Sequence, residues 1–238
     1  LSGNVAASQA PEVAKYHAME YVVFASNEQR IGEKISIRYG IRLPVWQDLG
    51  PTKIRYFDAN HQVIDTISYG NGEAYSTAFS PEPRFNIQYQ VNRKSAVKAS
   101  YSRTTQFMQL LSNSASPFTS LEVWAPCGPN IPAQTADQVA GGFFRDMFKS
   151  KFTLSAEAYY KWFHHHLDYK DHANMLFNTL IEGELRFGKA WSYGFEVMLR
   201  KNTGKLTGWI GYTWSKAFVR TPGVNNGNAY PASYDRPN

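Results

Sequence analysis

The 238-residue chain lacks most of the features that place a protein at a glance. It has no apolar run approaching the ~18 residues that a membrane-crossing helix requires. Its one cysteine, Cys127, sits between Pro126 and Gly128, which excludes an intrachain disulfide and reads as a loop position. There is no nucleophile elbow, no Gly-rich phosphate loop and no His-Glu-x-x-His pair. An enzyme and a resident cofactor are therefore not expected. The net charge is +6 and the pI about 9.3, yet no basic block exists. Lys34, Arg38 and Arg42 lie spread along one face of one segment, which argues against a nucleic-acid footprint and for a cation-lined cavity. Leu1 does not open a basic, apolar, small-residue leader. The last residues pass through Pro231, Asp235, Arg236 and Pro237 and read as a loop, so both ends are expected to be cuts within a longer polypeptide.

What the chain does have is alternation. In Lys34–Leu43, Ile35, Ile37, Tyr39, Ile41 and Leu43 fall on one side, and Lys34, Ser36, Arg38, Gly40 and Arg42 on the other. A strand sends successive side chains to opposite faces, so this segment has one greasy and one wet face. A mean hydropathy of −0.44 looks soluble. A transmembrane barrel gives the same value, because only alternate residues meet lipid. Aromatic residues make up 15% of the chain, and Tyr and Trp favour membrane interfaces.

Eight such segments are predicted. The first spans about Lys15–Gln29 and the second Lys34–Trp46, joined by a tight turn. The third, Arg84–Val91, and fourth, Ala96 to about Phe107, are joined by Asn92–Ser95. The fifth, about Ala136–Arg145, and sixth, Lys151 to about His164, are joined by Asp146–Ser150. The seventh, Trp191–Lys201, and eighth, Lys205 to about Ala217, are joined by Asn202-Thr203-Gly204. The hairpins are linked by long connections. The first, Gln47–Pro83, contains a hairpin of Ile54–Phe57 and Val63–Tyr69 with Asp58–His61 at its tip. The second, Met108–Thr135, holds four prolines between Pro117 and Pro132, which exclude a central strand. The third runs from about His165 to Ala190. Alternation places Phe195, Val197 and Leu199 on the lipid side, and with them Leu206, Ile210, Tyr212 and Trp214. Short and long links then lie at opposite sheet edges; in outer-membrane barrels the short turns are periplasmic and the long loops extracellular.

Several local patterns occur in a fixed order. Pro83-Arg84-Phe85 leads to Ala96-Val97-Lys98-Ala99-Ser100-Tyr101-Ser102. Pro129-Asn130-Ile131-Pro132 precedes Gln134–Gly142, and Ala156-Glu157-Ala158-Tyr159-Tyr160 follows. Then come Ser192-Tyr193-Gly194-Phe195-Glu196, Gly208–Ser215 and Asp235-Arg236-Pro237. Together they resemble the C-terminal half of the barrel of TonB-dependent outer-membrane receptors, with Gln134 standing where that family commonly has Glu. The resemblance covers nearly the whole chain. It implies an all-β, antiparallel transmembrane barrel wall: about eight long strands of a 22-stranded barrel, one partial domain over residues 1–238. It also implies a separate N-terminal plug, energy delivered through TonB, and a scarce cargo such as an iron chelate, cobalamin or an oligosaccharide. Plug, TonB-contacting segment and final strands are not among these residues. The expected location is the outer membrane of a Gram-negative bacterium.

Alternation assigns Arg38, Arg42, Arg84, Asn86, Gln88, Lys98, Glu157, Glu196 and Arg200 to the lumen, facing water and a plug. Tyr56, Phe57, Tyr69, Tyr75, Phe118, Trp124, Phe177 and Tyr230 are loop aromatics suited to stacking on sugars or flat chelates, or to packing the loops on one another. His164, His166 and His172, with Asp168 and Asp171 nearby, have ligand chemistry. Adjacent strand residues diverge, however, so no metal site is expected. Two other readings are open: eight strands can close as a small complete barrel serving as adhesin or anchor, and a soluble sugar-binding β domain would share the composition. The structure expected for the first reading is a curved antiparallel sheet of eight long strands with two free edges.

Overall fold

A computed structural model describes residues 15–58, 60–111, 123–173, 180–232 and 235. Strands dominate, and the described residues contain no α-helix; two short 3-10 turns, at Ile181–Glu184 and Asn225–Gly227, are the helical elements. The strands are β1 (His17–Ile31), β2 (Ile35–Leu49), β3 (Thr52–Phe57), β4 (Val63–Tyr69), β5 (Ala74–Phe79), β6 (Glu82–Asn92) and β7 (Ser95–Gln106). They continue with β8 (Met108–Leu111), β9 (Val123–Pro126), β10 (Gln134–Met147), β11 (Phe152–Tyr169), β12 (Leu185–Lys201), β13 (Gly208–Arg220) and β14 (Tyr230–Pro231).

The main sheet has the order β1-β2-β6-β7-β10-β11-β12-β13-β14, with β5 added beside the far end of β2. Every pairing is antiparallel. Eight of these strands are 11–18 residues long, as the alternation predicts. Each sequence-adjacent pair of hairpin strands is also spatially adjacent, because short turns leave no other partner within reach. Among the described residues β1 pairs only with β2, and β13 meets only the two-residue β14 on its far side. The eight strands therefore do not close on themselves, and the complete small barrel is not the architecture.

Several boundaries differ from the sequence expectation. β11 and β12 run on to Tyr169 and back to Leu185, so His165–Tyr169 and Leu185–Ala190 are strand, not loop. Long strands that project past the membrane lose the lipid-driven alternation by which they are recognised. β13 begins at Gly208, so Leu206 lies in the connection that precedes the strand and not on its outward row. Glu82-Pro83 belongs to β6, and the first two long connections contain β5 and a β8–β9 hairpin that sequence periodicity did not reveal. Four-residue strands are too short to show a period.

Register fixes the faces. Ile37 pairs with Ile87, and Ile87 with Ala99. Tyr39 pairs with Phe85, Phe85 with Tyr101, and Tyr101 with Val139. Val139 pairs with Tyr160, Tyr160 with Tyr193, and Phe195 with Trp214. All share one side, which is apolar and solvent-accessible: Tyr39, Phe85, Val97, Val139, Tyr160 and Phe195 are each 41–43% exposed. Soluble monomers rarely present so extended an apolar surface. Rings along β11–β13 stack on that face, Tyr160 on Tyr193 at 6.1 Å and Phe195 on Trp214 at 5.8 Å. The buried apolar residues instead form small clusters near the long connections: Leu111, Ala125, Ile131 and Leu185, and separately Ala190, Ala217, Val219 and Ala232.

Candidate functional site

The opposite face is polar. Arg38 lies beside Asn86, Arg84 beside Gly40, Gln88 beside Lys98, and Glu157 directly opposite Glu196; Arg42 and Arg200 occupy the same side by parity. All nine residues predicted for the lumen therefore share one face. Six strands contribute to a cavity of about 310 Å³ there, lined among others by Glu28, Arg38, Asn86, Gln88, Lys98 and Glu157, so this face is concave. Arg84, Arg42, Glu196 and Arg200 are outside that cavity. The Lys98 ammonium stands 4.5 Å over the Phe144 ring. Such a surface offers donors and acceptors at a fixed spacing to water or to a folded domain.

Higher on the same face lies an ionic knot that the sequence did not disclose. Glu82, 2% exposed, accepts from the Arg42 guanidinium at 3.2 Å and from the Thr105 backbone N–H at 2.9 Å, with Arg84 at 3.6 Å. Arg42 also donates to Glu20 at 2.6 Å, tying β1, β2, β6 and β7 together. Glu82 precedes a proline, which is why it reads as loop in the sequence.

Three long connections form one packed crown. Asn130 donates to the Arg55 carbonyl at 2.8 Å and to the Glu182 carboxylate, joining β3, the turn after β9, and the 3-10 turn. Phe57 packs against Gly183, where a Cβ would come within 3.1 Å of its ring. Asp48, fully buried at the end of β2, accepts from the Trp46 indole N–H at 2.7 Å while its Oδ2 is unpartnered. β2 carries it beyond the ~25 Å apolar band of an outer-membrane barrel. Burial raises its pKa to about 6, against the lowering effect of Trp46 and Ser76. Burial, with the nearby Asp48 charge, raises the Cys127 thiol to about 12, so this cysteine is a protonated packing residue. Glu182 is likewise raised by burial.

The loop aromatics are divided. The Tyr56 and Tyr69 hydroxyls are 3.1 Å apart, and Tyr69 contacts Tyr75 ring to ring at 5.4 Å. Tyr230 donates to Asp168 and packs on the Ala190 cluster. These aromatics join loops to one another, whereas Trp124 is half exposed at the crown surface. Phe118 and Phe177 lie outside the described residues. The histidines do not converge. A bulge between His164 and His166, with His165 at φ 55°, sends His164 to the apolar face, 3.3 Å from Asp137, and His166 to the polar one. His172 sits in the turn beyond β11, and no group of three or more His, Cys, Asp or Glu able to hold a metal occurs among the described residues.

Comparison with known proteins gives the same assignment. Residues 3–236 match the family described as TonB dependent receptor-like, beta-barrel. The FrpB iron transporter of Neisseria meningitidis (F3-3 variant) superposes with a TM-score of 0.59 at 14% identity, over 90% of this chain and 28% of that one. The ferric-catecholate import receptor Fiu of E. coli K12 gives 0.53 at 16% identity, over 85% of this chain and 28% of that one. This chain thus spans little more than a quarter of either structure. A comparison with curated protein sequences finds none that matches. With its two-faced antiparallel sheet, its short turns at one edge and its loops at the other, the chain belongs to the TonB-dependent receptor β-barrel family.

Proposed function

We propose that this chain is a section of the wall of an outer-membrane transporter of a Gram-negative bacterium, one that imports a scarce nutrient with energy delivered through TonB. Residues 1–238 are part of one barrel domain, and a plug domain and further strands come from elsewhere in the polypeptide. One observation carries the reading: nine polar residues share a concave face while the opposite face exposes apolar rings. The apolar face meets outer-membrane lipid, and the polar face meets water and the plug. An open lumen leaks unless it is filled, which is why the wall presents charged and amide groups at close spacing.

The crown of loops receives the cargo. Trp124 supplies an exposed ring, and the packed Tyr56–Tyr69–Tyr75 group supplies a rigid floor. Rings on a rigid scaffold stack on flat chelates and on sugars at low entropic cost. An iron chelate is the favoured cargo, since both structural neighbours are iron importers by their own descriptions.

The test is uptake by cells carrying the full-length protein, with ferric chelates, cobalamin and oligosaccharides offered in turn. Accumulation of a ferric chelate that stops in cells lacking TonB is the expected result. Recovery of the protein in the soluble fraction, or uptake indifferent to TonB, overturns the reading. Accumulation of cobalamin or an oligosaccharide alone keeps the transporter and refutes the iron assignment.

A further inference from the structure

The apolar face of β10–β13 ends, toward the long loops, in a row of basic side chains. Thr135 pairs with His164, His164 with Lys189, and Lys189 with Arg220, so three basic side chains stand directly opposite one another on three neighbouring strands. Opposed pairs bring Cβ atoms within about 4.5–5.5 Å, and the like charges of Lys189 and Arg220, so placed, repel. Compensation within the chain is partial. His164 has the Asp137 carboxylate at 3.3 Å, which is already engaged by Arg103 at 2.8 Å and the Tyr101 hydroxyl at 2.6 Å. Arg220 donates its Nε to the Gly227 carbonyl at 2.9 Å. Lys189 is exposed and, among the described residues, forms no ion pair.

The next row toward the short turns is Trp162, Trp191 and Phe218, and the one beyond it is Tyr160, Tyr193 and Lys216. Trp191 stacks on Phe218 at 5.8 Å and Tyr193 on Phe218 at 6.5 Å. A wall of rings therefore lies directly beneath the cations. Lys189 stands twelve residues from Lys201, the inner end of β12. At ~3.3 Å per residue and a tilt of ~45°, that is a rise of roughly 28 Å, just above an apolar band ~25 Å tall. The cations thus sit at the outer leaflet's headgroup level and the rings at the level where its acyl chains begin.

We propose that His164, Lys189 and Arg220, above Trp162, Trp191 and Phe218, form a binding site for the phosphate of a phosphorylated lipid of the outer leaflet, lipid A being the chemical class that fits. Its phosphate bridges the opposed cations and relieves their repulsion, and its acyl chains lie on the rings. The site rests on the reading of the apolar face as lipid-facing. It is separate from cargo, plug and lumen.

The experiment uses the full-length protein in bilayer discs of phosphatidylcholine, titrated with lipid A while tryptophan fluorescence and native mass are recorded. The variants are Lys189→Gln with Arg220→Gln, and Lys189→Arg as a charge-retaining control. Near a membrane surface each Lys or Arg contributes about fivefold, so the double variant is expected to bind lipid A roughly 30-fold more weakly. Lys189→Arg is expected to bind as the wild type does, and dephosphorylated lipid A to bind as weakly to the wild type as lipid A does to the double variant. Equal affinity of wild type and double variant, or for phosphorylated and dephosphorylated lipid, overturns the proposal. So does displacement of lipid A by an equal concentration of inorganic phosphate, which identifies a free-anion site. Failure to insert into the discs at all refutes the lipid-facing reading itself; insertion without discrimination refutes only the phosphate site.

Discussion

The sharpest consequence of the two-faced sheet is that one substitution, placed within the apolar band, has opposite outcomes on its two sides. Phe195 is six residues from Lys201, the inner end of β12, which puts it roughly 14 Å into the apolar band, near its middle. Its ring meets Trp214 at 5.8 Å and Tyr212 at 6.0 Å. Phe195→Arg brings a cation to the lipid midplane at a cost of about 2–4 kcal/mol. It also removes two ring pairs contributing about 0.5–1.5 kcal/mol each. The combined loss of about 3–7 kcal/mol rivals the net stability of a folded domain. Gln88 lies four residues from Asn92, the inner end of β6, roughly 9 Å into the same band, but on the concave face beside Ser36 and Lys98. There an added cation keeps its water, and its repulsion from Lys98 costs below about 1 kcal/mol. In the full-length protein, Phe195→Arg is expected to abolish the heat-modifiable mobility of a folded barrel, and Gln88→Arg to retain it. Urea unfolding in lipid vesicles supplies the difference in free energy. Equal assembly of the two variants would refute the assignment of faces.

Three further outcomes follow from particular contacts. Glu82→Gln leaves Arg42 and Arg84 without their shared buried carboxylate and is expected to cost about 2–3 kcal/mol, read from the urea midpoint in vesicles; an unchanged midpoint means the knot contributes nothing. Asp48 has a folded pKa of about 6 against an ordinary 3.8, so its stabilising contribution is complete below about pH 4 and is lost as pH rises through 6. That displacement is worth up to about 3 kcal/mol. Proteolysis of the loop crown is expected to accelerate between pH 5 and 7.5 in the wild type but not in Asp48→Asn, and identical profiles would contradict this. Asn130→Ala unties three connections at once, so loop cleavage by trypsin is expected to quicken at constant barrel stability; unchanged cleavage would show that apolar packing alone holds the crown.

Strand identity, strand order and facing were legible from alternation together with the short turns. Ile35–Leu43 and Trp191–Leu199 carry a period of two because lipid on one side and water on the other select residues at every second position. The short turns then fix which strands are neighbours, and register carries the facing from one strand to the next. Each of these is local, so it is written in consecutive residues. The upper parts of β11 and β12, the β8–β9 hairpin and the short β5 were not legible, since beyond the membrane no solvent contrast imposes a period.

What only the tertiary structure decided is which distant residues meet. Glu82 with Arg42 and Thr105, Asp48 beside Cys127, and Asn130 between Arg55 and Glu182 come from separate strands and connections. His164, before the bulge at His165, keeps the regular register and aligns with Lys189 and Arg220, while the bulge turns His166 to the polar face. The sequence by itself determined a wall with an oily and a wet side, because alternation is a property of one strand. The cross-strand rows of charge and the locked loop crown are properties of register and packing between strands, which no single segment encodes.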